Sequence, residues 1–333
     1  SNFPFGLLGA KSYIKYEPLG TVGMISPWNF PVNLAFVPLV SIFAAGNQVM
    51  HKPSEHTPIT SSLLKDLCDK SFDETEFATF LGGPEVGESF TQLNFDHLLY
   101  TGGGSVAKHV MNAASKNLVP CTLELGGKSP VVIGKSADLK TTAKRIMFGK
   151  TLNAGQICLA PDYVVVHKDQ KDEFIKETKE AVSQYYPTLK DNEDYTSVIN
   201  EKHYDRLKDL LSDAIEKGAH VDEINPSNED FSQQEFYKIP PTIVTNTSDD
   251  MKIMQEEIFG PLLPVVEYDE IDEATALINS KDRPLGLYYF GNNTSEENDL
   301  LNKTSSGGVT VNNVISHLQQ NDLSFGGVGP SGM

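Results

Sequence analysis

Short runs of β-branched and aromatic residues trade places with helix-length amphipathic stretches over nearly the whole chain, and this alternation narrows the fold more than any other feature. A strand that returns through a helix to a second strand is how parallel strands are joined, so the pattern predicts an α/β protein with a mostly parallel sheet. In the first half it predicts a helix ending at Ala45 before Gly46, a strand over 48–51, a helix over 58–72, strands over 77–81 and 96–101, and a helix over 105–114. In the second half it predicts strands over 130–133, 163–167, 262–268, 285–291 and 308–312, with helices over 139–152, 170–185, 272–280 and 295–303. The longest apolar run, 32–46, is broken by Asn33, Pro38 and Ser41. At a span of roughly 20 residues per bilayer crossing it is too short for a membrane, and it reads as a buried helix. Residues 222–234, rich in Asp, Glu, Asn and Ser, read as an exposed connection whose charge serves solvation.

The 333 residues exceed what one hydrophobic core usually spans, so two domains are expected. Lys and Arg number 27 against 45 Asp and Glu, a net charge of -18, which argues against nucleic acid or anionic lipid as a partner. Cys68, Cys121 and Cys158 are odd in number and lack metal or disulfide spacing. A reducing, cytoplasmic setting is expected. No signal-peptide pattern opens the chain, which also lacks an initiator Met, so the numbering is expected to begin inside a longer product.

Gly102-Gly103-Gly104-Ser105-Val106-Ala107 fits G-x-G-x-x-A between an expected strand and helix. There the glycines allow a tight turn and the helix N-terminus offers free N–H groups to a pyrophosphate. About 20 residues further on, where that fingerprint would place a ribose-binding acid, stands Glu124. Both a ribose contact and a catalytic role suit a carboxylate at a strand end. Among the cysteines, Cys68 falls on an apolar helix face with Ile59, Leu63, Leu64 and Leu67 and reads as core. Cys158 follows the loop Asn153-Ala154-Gly155-Gln156, where a thiol can be exposed and its thiolate can meet backbone donors. The eight histidines show no metal-ligand pairing, so no metal is expected. The phosphate-loop near-misses at Gly82 to Gly87 and at Gly149-Lys150-Thr151 lack a lysine and an upstream glycine respectively.

Six segments in one order resemble the aldehyde dehydrogenase superfamily: Ser26-Pro27-Trp28-Asn29-Phe30-Pro31, Lys52-Pro53-Ser54-Glu55, Thr101-Gly102, Glu124 through Pro130, Asn153 through Cys158, and Glu257-Ile258-Phe259-Gly260-Pro261. The surroundings Cys158-Leu159-Ala160-Pro161-Asp162-Tyr163 and the ending Phe325 through Met333 look most like the fatty-aldehyde and coniferyl-aldehyde branch. The resemblance implies two doubly wound, mostly parallel-sheet domains plus part of a bridging strand. It places that bridging, oligomerisation segment at 1–20, an incomplete dinucleotide-binding domain at 21–125, a catalytic domain at 126–328 and the start of a return segment at 329–333. It also implies a homodimer and a small aldehyde as substrate.

The resemblance assigns Cys158 as the nucleophile, Asn29 and the Cys158 N–H as oxyanion donors, and Glu124 as the base for thioester hydrolysis. It lays the dinucleotide along Ile25, Ser26, Pro27 and Trp28, with the adenosine ribose at Lys52 and Glu55 and with Ser54 among the cofactor-binding residues. It gives the nicotinamide ribose to Glu257, sets Phe259 close to the nicotinamide end and phosphate contacts at the turn of Gly102 and Gly103, and counts Thr101, Val106, Leu125 and Gly126 among the cofactor-binding residues. Glu55 should repel a 2′-phosphate, which favours NAD, with NADP also used in this branch. Gly103 and Ala107 stand where the family usually has Ser and often Gly, and Ile157 stands where it commonly has Thr. The alternatives are an enzyme that passes the acyl group to coenzyme A and a catalytically impaired dinucleotide-binding fragment.

Overall fold

The computed structural model describes residues 3–333. They divide into two compact units, one formed by the chain through Leu99 with Val110–Cys121, the other by Tyr100–His109 with Thr122–Met333.

The first stretch of chain runs β1 (Thr21–Ile25), α1 (Asn33–Ala44), β2 (Gln48–Lys52), α2 (Pro58–Ser71), β3 (Phe77–Thr79), α3 (Pro84–Thr91), β4 (His97–Thr101), α4 (Gly104–Ser115) and β5 (Cys121–Glu124). The strands are ordered β3-β2-β1-β4-β5, so the winding reverses at β1. β1 was not legible in the sequence because Gly23 interrupts it. A Cβ there would lie 2.6 Å from Phe95 and 2.8 Å from Leu98, so the strand needs a glycine at that point. Met24, Leu39, Val49, Cys68 and Phe77 form the core beneath these strands. The expectation of a buried α1 is corrected: Ala35 and Leu39 are buried, whereas Val37 and Val40 are 60% and 69% exposed. Its apolar residues surround the helix, and one face of this unit's sheet can cover only part of that circumference. Phe5–Leu8 form a single 3₁₀ turn, and residues 10–20 contain no regular element and are almost entirely exposed.

The rest comprises β6 (Pro130–Ile133), α5 (Leu139–Thr151), β7 (Tyr163–His167), α6 (Lys171–Tyr185), α7 (Glu201–Glu216), β8 (His220–Glu223), β9 (Thr242–Thr245), α8 (Lys252–Gln255), β10 (Leu262–Tyr268), α9 (Ile271–Asn279), β11 (Gly286–Phe290), α10 (Thr294–Lys303) and β12 (Gly308–Val311). The order is β12-β11-β6-β7-β10-β9-β8, with every pairing parallel except β8 with β9.

Side chains of successive strand residues leave opposite faces of this sheet, and both faces are filled. Val131, Ile133, Val164 and Val166 meet Ile146, Met147, Phe174 and Val182 of α5 and α6. Val132, Tyr163 and Val165 meet Ala274, Ile278 and Leu300 of α9 and α10. Each fully buried aliphatic side chain contributes about 1.5–3 kcal/mol, which is why these strands read as continuous apolar runs. The 222–234 connection does more than solvate: Glu229 accepts the backbone N–H groups of Leu189 and Lys190 at 2.6 and 3.0 Å.

Candidate active site

Sheet order explains how residues far apart in sequence converge. β6, β7 and β10 are adjacent and parallel, so the segments entering them lie along one amino-terminal edge. Glu124 lies six residues before β6, Cys158 five before β7 and Glu257 five before β10.

The cysteine loop is held by its own backbone. After α5, Asn153, Ala154 and Gly155 adopt φ of 51°, 51° and 74°, a left-handed run that only glycine takes without strain. A Cβ on Gly155 would come within 2.3 Å of the Gly260 carbonyl oxygen, so the loop is wedged against the segment that carries Glu257 and Phe259. Gln156 staples it on the other side. Its amide donates to the carbonyls of Asn153 and Ser197 at 3.0 Å each, and its oxygen accepts the Ile199 N–H at 3.0 Å.

The Cys158 thiol is part-exposed, but its surroundings push it up to about 12. Desolvation is the main cause, followed by the charges of Glu257 and Glu124; the backbone N–H groups of Cys158 and Leu159 offset them only in part. The backbone donors expected for a thiolate in this loop are present, and the side chain is part-exposed. Burial outweighs the backbone donors, and the resting thiol keeps its proton at neutral pH.

The two carboxyls whose charges act on this thiol are themselves perturbed. Burial pushes Glu124 up to about 7, against a hydrogen bond from the Gly327 N–H. Among the described residues its buried Oε1 has no hydrogen-bond partner. Behind it, β5 is braced by the chain end, with Leu123 and Met333 exchanging backbone bonds at 2.7 and 3.0 Å and the Leu125 N–H bonding Ser331 at 3.1 Å. Glu257 is likewise pushed up to about 7 by burial, against the Gly127 N–H and the charges of Lys128 and Arg206, with Asp162 adding to the rise.

A buried ion pair that the sequence reading did not assign fixes this edge. Lys128 donates to Asp162 at 2.5 Å and to the carbonyls of Ile253 and Glu256 at 2.7 and 2.8 Å. Asp162 accepts the Ile258 N–H at 2.8 Å, and Arg206 donates to the carbonyls of Glu257 and Ile258. Lys128 and Asp162 both lie inside the quoted motifs. The available signal was a lysine in a turn too tight to be solvated.

Beside Glu257 lies a cavity of 570 Å³ bordered by Gly104, Leu125, Gly126, Gly127 and Lys128, among others. The Glu257 carboxylate packs against Gly126, where a Cβ would sit 2.2 Å from it and push it aside. Cβ atoms on Gly103 or Gly104 would meet nothing, leaving open the backbone at the start of the 12-residue α4. Val106 is exposed and Ala107 buried, as a close-packed third position of the fingerprint requires.

In the first unit, the register of β1 with β2 sets Ile25 opposite Lys52, so the segments leaving the two strands run side by side. The Ser26 N–H bonds the Lys52 carbonyl at 3.2 Å, and its hydroxyl meets Nε2 of buried His51 at 2.8 Å. Burial and neighbouring Lys52 bring His51 down to about 4, so it is neutral. Lys52 is buried and pairs with Glu55 at 2.8 Å. Burial works to raise the Glu55 carboxyl, but the Lys52 hydrogen bond, its own backbone N–H and neighbouring positive charges leave it below the ordinary range. Pro27, Trp28 and Asn29 follow β1, half-buried, and Ser54 lies half-buried between Lys52 and Glu55. Among the described residues no group of three or more His, Cys, Asp or Glu is placed to hold a metal, and no helix is long and apolar enough to cross a membrane.

The aldehyde dehydrogenase family model matches residues 3–333. A probable coniferyl aldehyde dehydrogenase of Caulobacter vibrioides is 60% identical over 98% of this chain and 68% of its own length, and a coniferyl aldehyde dehydrogenase of a Pseudomonas species is 54% identical with the same coverage. A substrate-bound Staphylococcus aureus AldH structure superposes with a TM-score of 0.93 at 41% identity, covering 100% of this chain and 71% of that one. The betaine aldehyde dehydrogenase of the same organism, solved with NAD+, gives 0.86 at 28% identity over 95% of this chain and 63% of that one. With a family match spanning the described chain and such relatives along almost all of it, the chain belongs to the aldehyde dehydrogenase family, whose enzymes oxidise aldehydes.

Proposed function

We propose that the chain oxidises an aromatic, coniferyl-type or fatty aldehyde to its carboxylate with NAD, through a thioester on Cys158 hydrolysed with Glu124 as base. The observation that carries this reading is the Glu124 carboxyl, with one buried, unclaimed oxygen and a charge felt by the Cys158 thiol. Relatives named for coniferyl aldehyde at 54–60% identity support the substrate class.

The residues fit a dinucleotide: open backbone at Gly103 and Gly104 at the start of α4, an anionic Glu55 beside Lys52 for a ribose diol, and Glu257 at the rim of a cavity. By resemblance, Thr101, Gly102, Leu125, Gly126, Phe259, Ile25, Ser26, Pro27, Trp28 and Ser54 are also cofactor-binding residues. When bound, the nicotinamide supplies a two-electron hydride acceptor.

The chain's own residues do the rest. The ionised fraction of a carboxyl near pH 7 takes the thiol proton as the sulfur bonds to the carbonyl carbon and the π pair moves to oxygen. The Cys158 N–H and, by resemblance, the Asn29 amide donate to that oxygen. At the thioester, Glu124 Oε1 takes a proton from water as its oxygen attacks the carbonyl carbon, and the C–S bond breaks to release the acid. A coenzyme A acceptor would give that oxygen no role. The exposed Phe5, Leu7, Leu8, Tyr13, Ile14 and Tyr16 support the expected homodimer.

Glu124→Gln tests the reading. An acyl mass should accumulate on the Cys158 peptide after reaction, and the rise of deacylation rate with pH through about 7 should disappear. Ordinary steady-state turnover with an unmodified Cys158 would refute it.

A further inference from the structure

Residues 326–333 fold back as a hook along β5 and bond the residues on either side of Glu124. Leu123 exchanges backbone hydrogen bonds with Met333, the Leu125 N–H bonds the Ser331 carbonyl at 3.1 Å, and Glu124 stands opposite Gly332 in an antiparallel bridge. The Glu124 carbonyl itself accepts the Gly102 N–H at 3.0 Å. Its backbone is thus held on both edges. The hook also reaches the side chain, since a Cβ on Gly326 would lie 3.9 Å from Glu124 Oε1, the buried oxygen left without a hydrogen-bond partner.

The hook keeps its shape through two residues. Gly327 lies so close to the returning chain that a Cβ there would come within 2.1 Å of the carbonyl carbon and oxygen of Ser331, where backbone has to give way. Ser331 is fully buried and closes the turn from inside. Its hydroxyl accepts the Val328 N–H at 2.9 Å and donates to the Val328 carbonyl at 3.3 Å. A terminal strand such as β5 can be covered anywhere along its length. Here the bonded residues are centred on the one that carries the carboxyl.

From this arrangement we propose that the hook is a positioning element for hydrolysis of the thioester, with Gly327 and Ser331 as its positioning residues: it fixes the backbone of Glu124 so that Oε1 meets the attacking water. The inference rests on the reading of Glu124 as the base for that step. A base has to stand within hydrogen-bond reach of the proton it takes, so a hook prised from β5 moves the carboxyl out of range while Cys158 can still form the thioester.

The test compares the unaltered chain, Gly327→Ala, Ser331→Ala and Glu124→Gln by the amplitude of NADH released in the first turnover, the steady-state rate and the acyl mass on the Cys158 peptide. Gly327→Ala should keep the amplitude, lower the steady-state rate by about 10²-fold, the scale for a group misplaced by about 1 Å, and leave acyl on Cys158. Ser331→Ala should show the same pattern to a smaller extent. Hydroxylamine added to the isolated acyl-enzymes needs no base: its nitrogen bonds to the thioester carbon, the C–S bond breaks, a nitrogen proton passes to the sulfur and a hydroxamic acid leaves. It should discharge all of the variants at the same rate. A hook variant that resists hydroxylamine has a distorted thioester rather than a displaced base, which overturns the proposal. So does an equal fall in amplitude and rate with Cys158 unmodified, the mark of a hook that only stabilises the fold. Normal turnover of both hook variants while Glu124→Gln accumulates acyl overturns the hook's role and spares the base reading. No acyl in Glu124→Gln overturns the base reading and this inference with it. If Gly327→Ala does not fold, Ser331→Ala decides by the same measurements.

Discussion

The two sheets carry their candidate chemistry at opposite edges. In the first, Ser26 to Trp28 and Lys52 to Glu55 follow β1 and β2, at the carboxyl ends where doubly wound sheets bind ligands. In the second, Cys158 and Glu257 precede β7 and β10, at the amino ends. A carboxyl edge offers loops and helix N-termini that suit anionic ligands. The amino edge of the second sheet instead consists of buried segments pinned by Lys128, Asp162, Gln156 and Arg206. Fixed, desolvated groups of this kind are what proton transfer to and from a thiol requires. The difference separates binding from chemistry, and substitutions can break that separation or sharpen it.

The largest effect is expected from Cys158→Ala, which should abolish aldehyde oxidation while leaving NAD affinity within about twofold, since surface-neutral changes away from a contact cost about 0.5 kcal/mol or less. Loss of both would merge the two edges into one function. Cys68→Ala should retain activity, because Cys68 is buried in the core of the first unit. Next comes Lys128→Met, which strands Asp162 buried without its partner and should destabilise the chain by about 3–5 kcal/mol, read as a lowered denaturation midpoint. A midpoint unchanged from the parent would mean that the pair does not pin the amino edge.

Asn29→Ala probes the one residue that crosses the division by role. It follows β1, on the binding side, yet the resemblance gives it an oxyanion role. Turnover should fall by about 10²–10³, the scale of one oxyanion donor, with little change in NAD affinity. If the substitution instead weakens NAD and spares kcat, Asn29 belongs to binding and the division is stricter than proposed.

What the sequence made legible follows the same line. Strands at 130–133, 163–167 and 262–268 were evident because both sheet faces are covered and the runs are mostly apolar, with His167 and Glu267 only near their ends. β1 was hidden by Gly23, and α7 by the charged face of a helix that buries only Leu207, Leu210 and Ala214. Motif residues such as Cys158, Glu124 and Glu257 could be named from order alone. The groups that tune them could not, because Asp162, Arg206 and Gly327 act through pairings set by sheet order, which no local pattern encodes.

The smallest effect is expected at the carboxyl edge, from Glu55→Gln. Lys52 holds this carboxyl ionised and leaves it exposed at the end of β2. In that state it accepts from a ribose diol and repels a phosphate on the same sugar. The glutamine keeps the shape and one acceptor but removes the charge, so NADP should gain on NAD by about tenfold in kcat/KM, equivalent to about 1.4 kcal/mol. The comparison has to be made at fixed ionic strength, because a part-exposed charge pair is screened by salt. If the ratio does not move while Glu257→Gln still weakens NAD, the adenosine end is held elsewhere than at Lys52 and Glu55. The carboxyl edge of the first sheet would then lose its assigned ligand, and the division between the edges would rest on the second sheet alone.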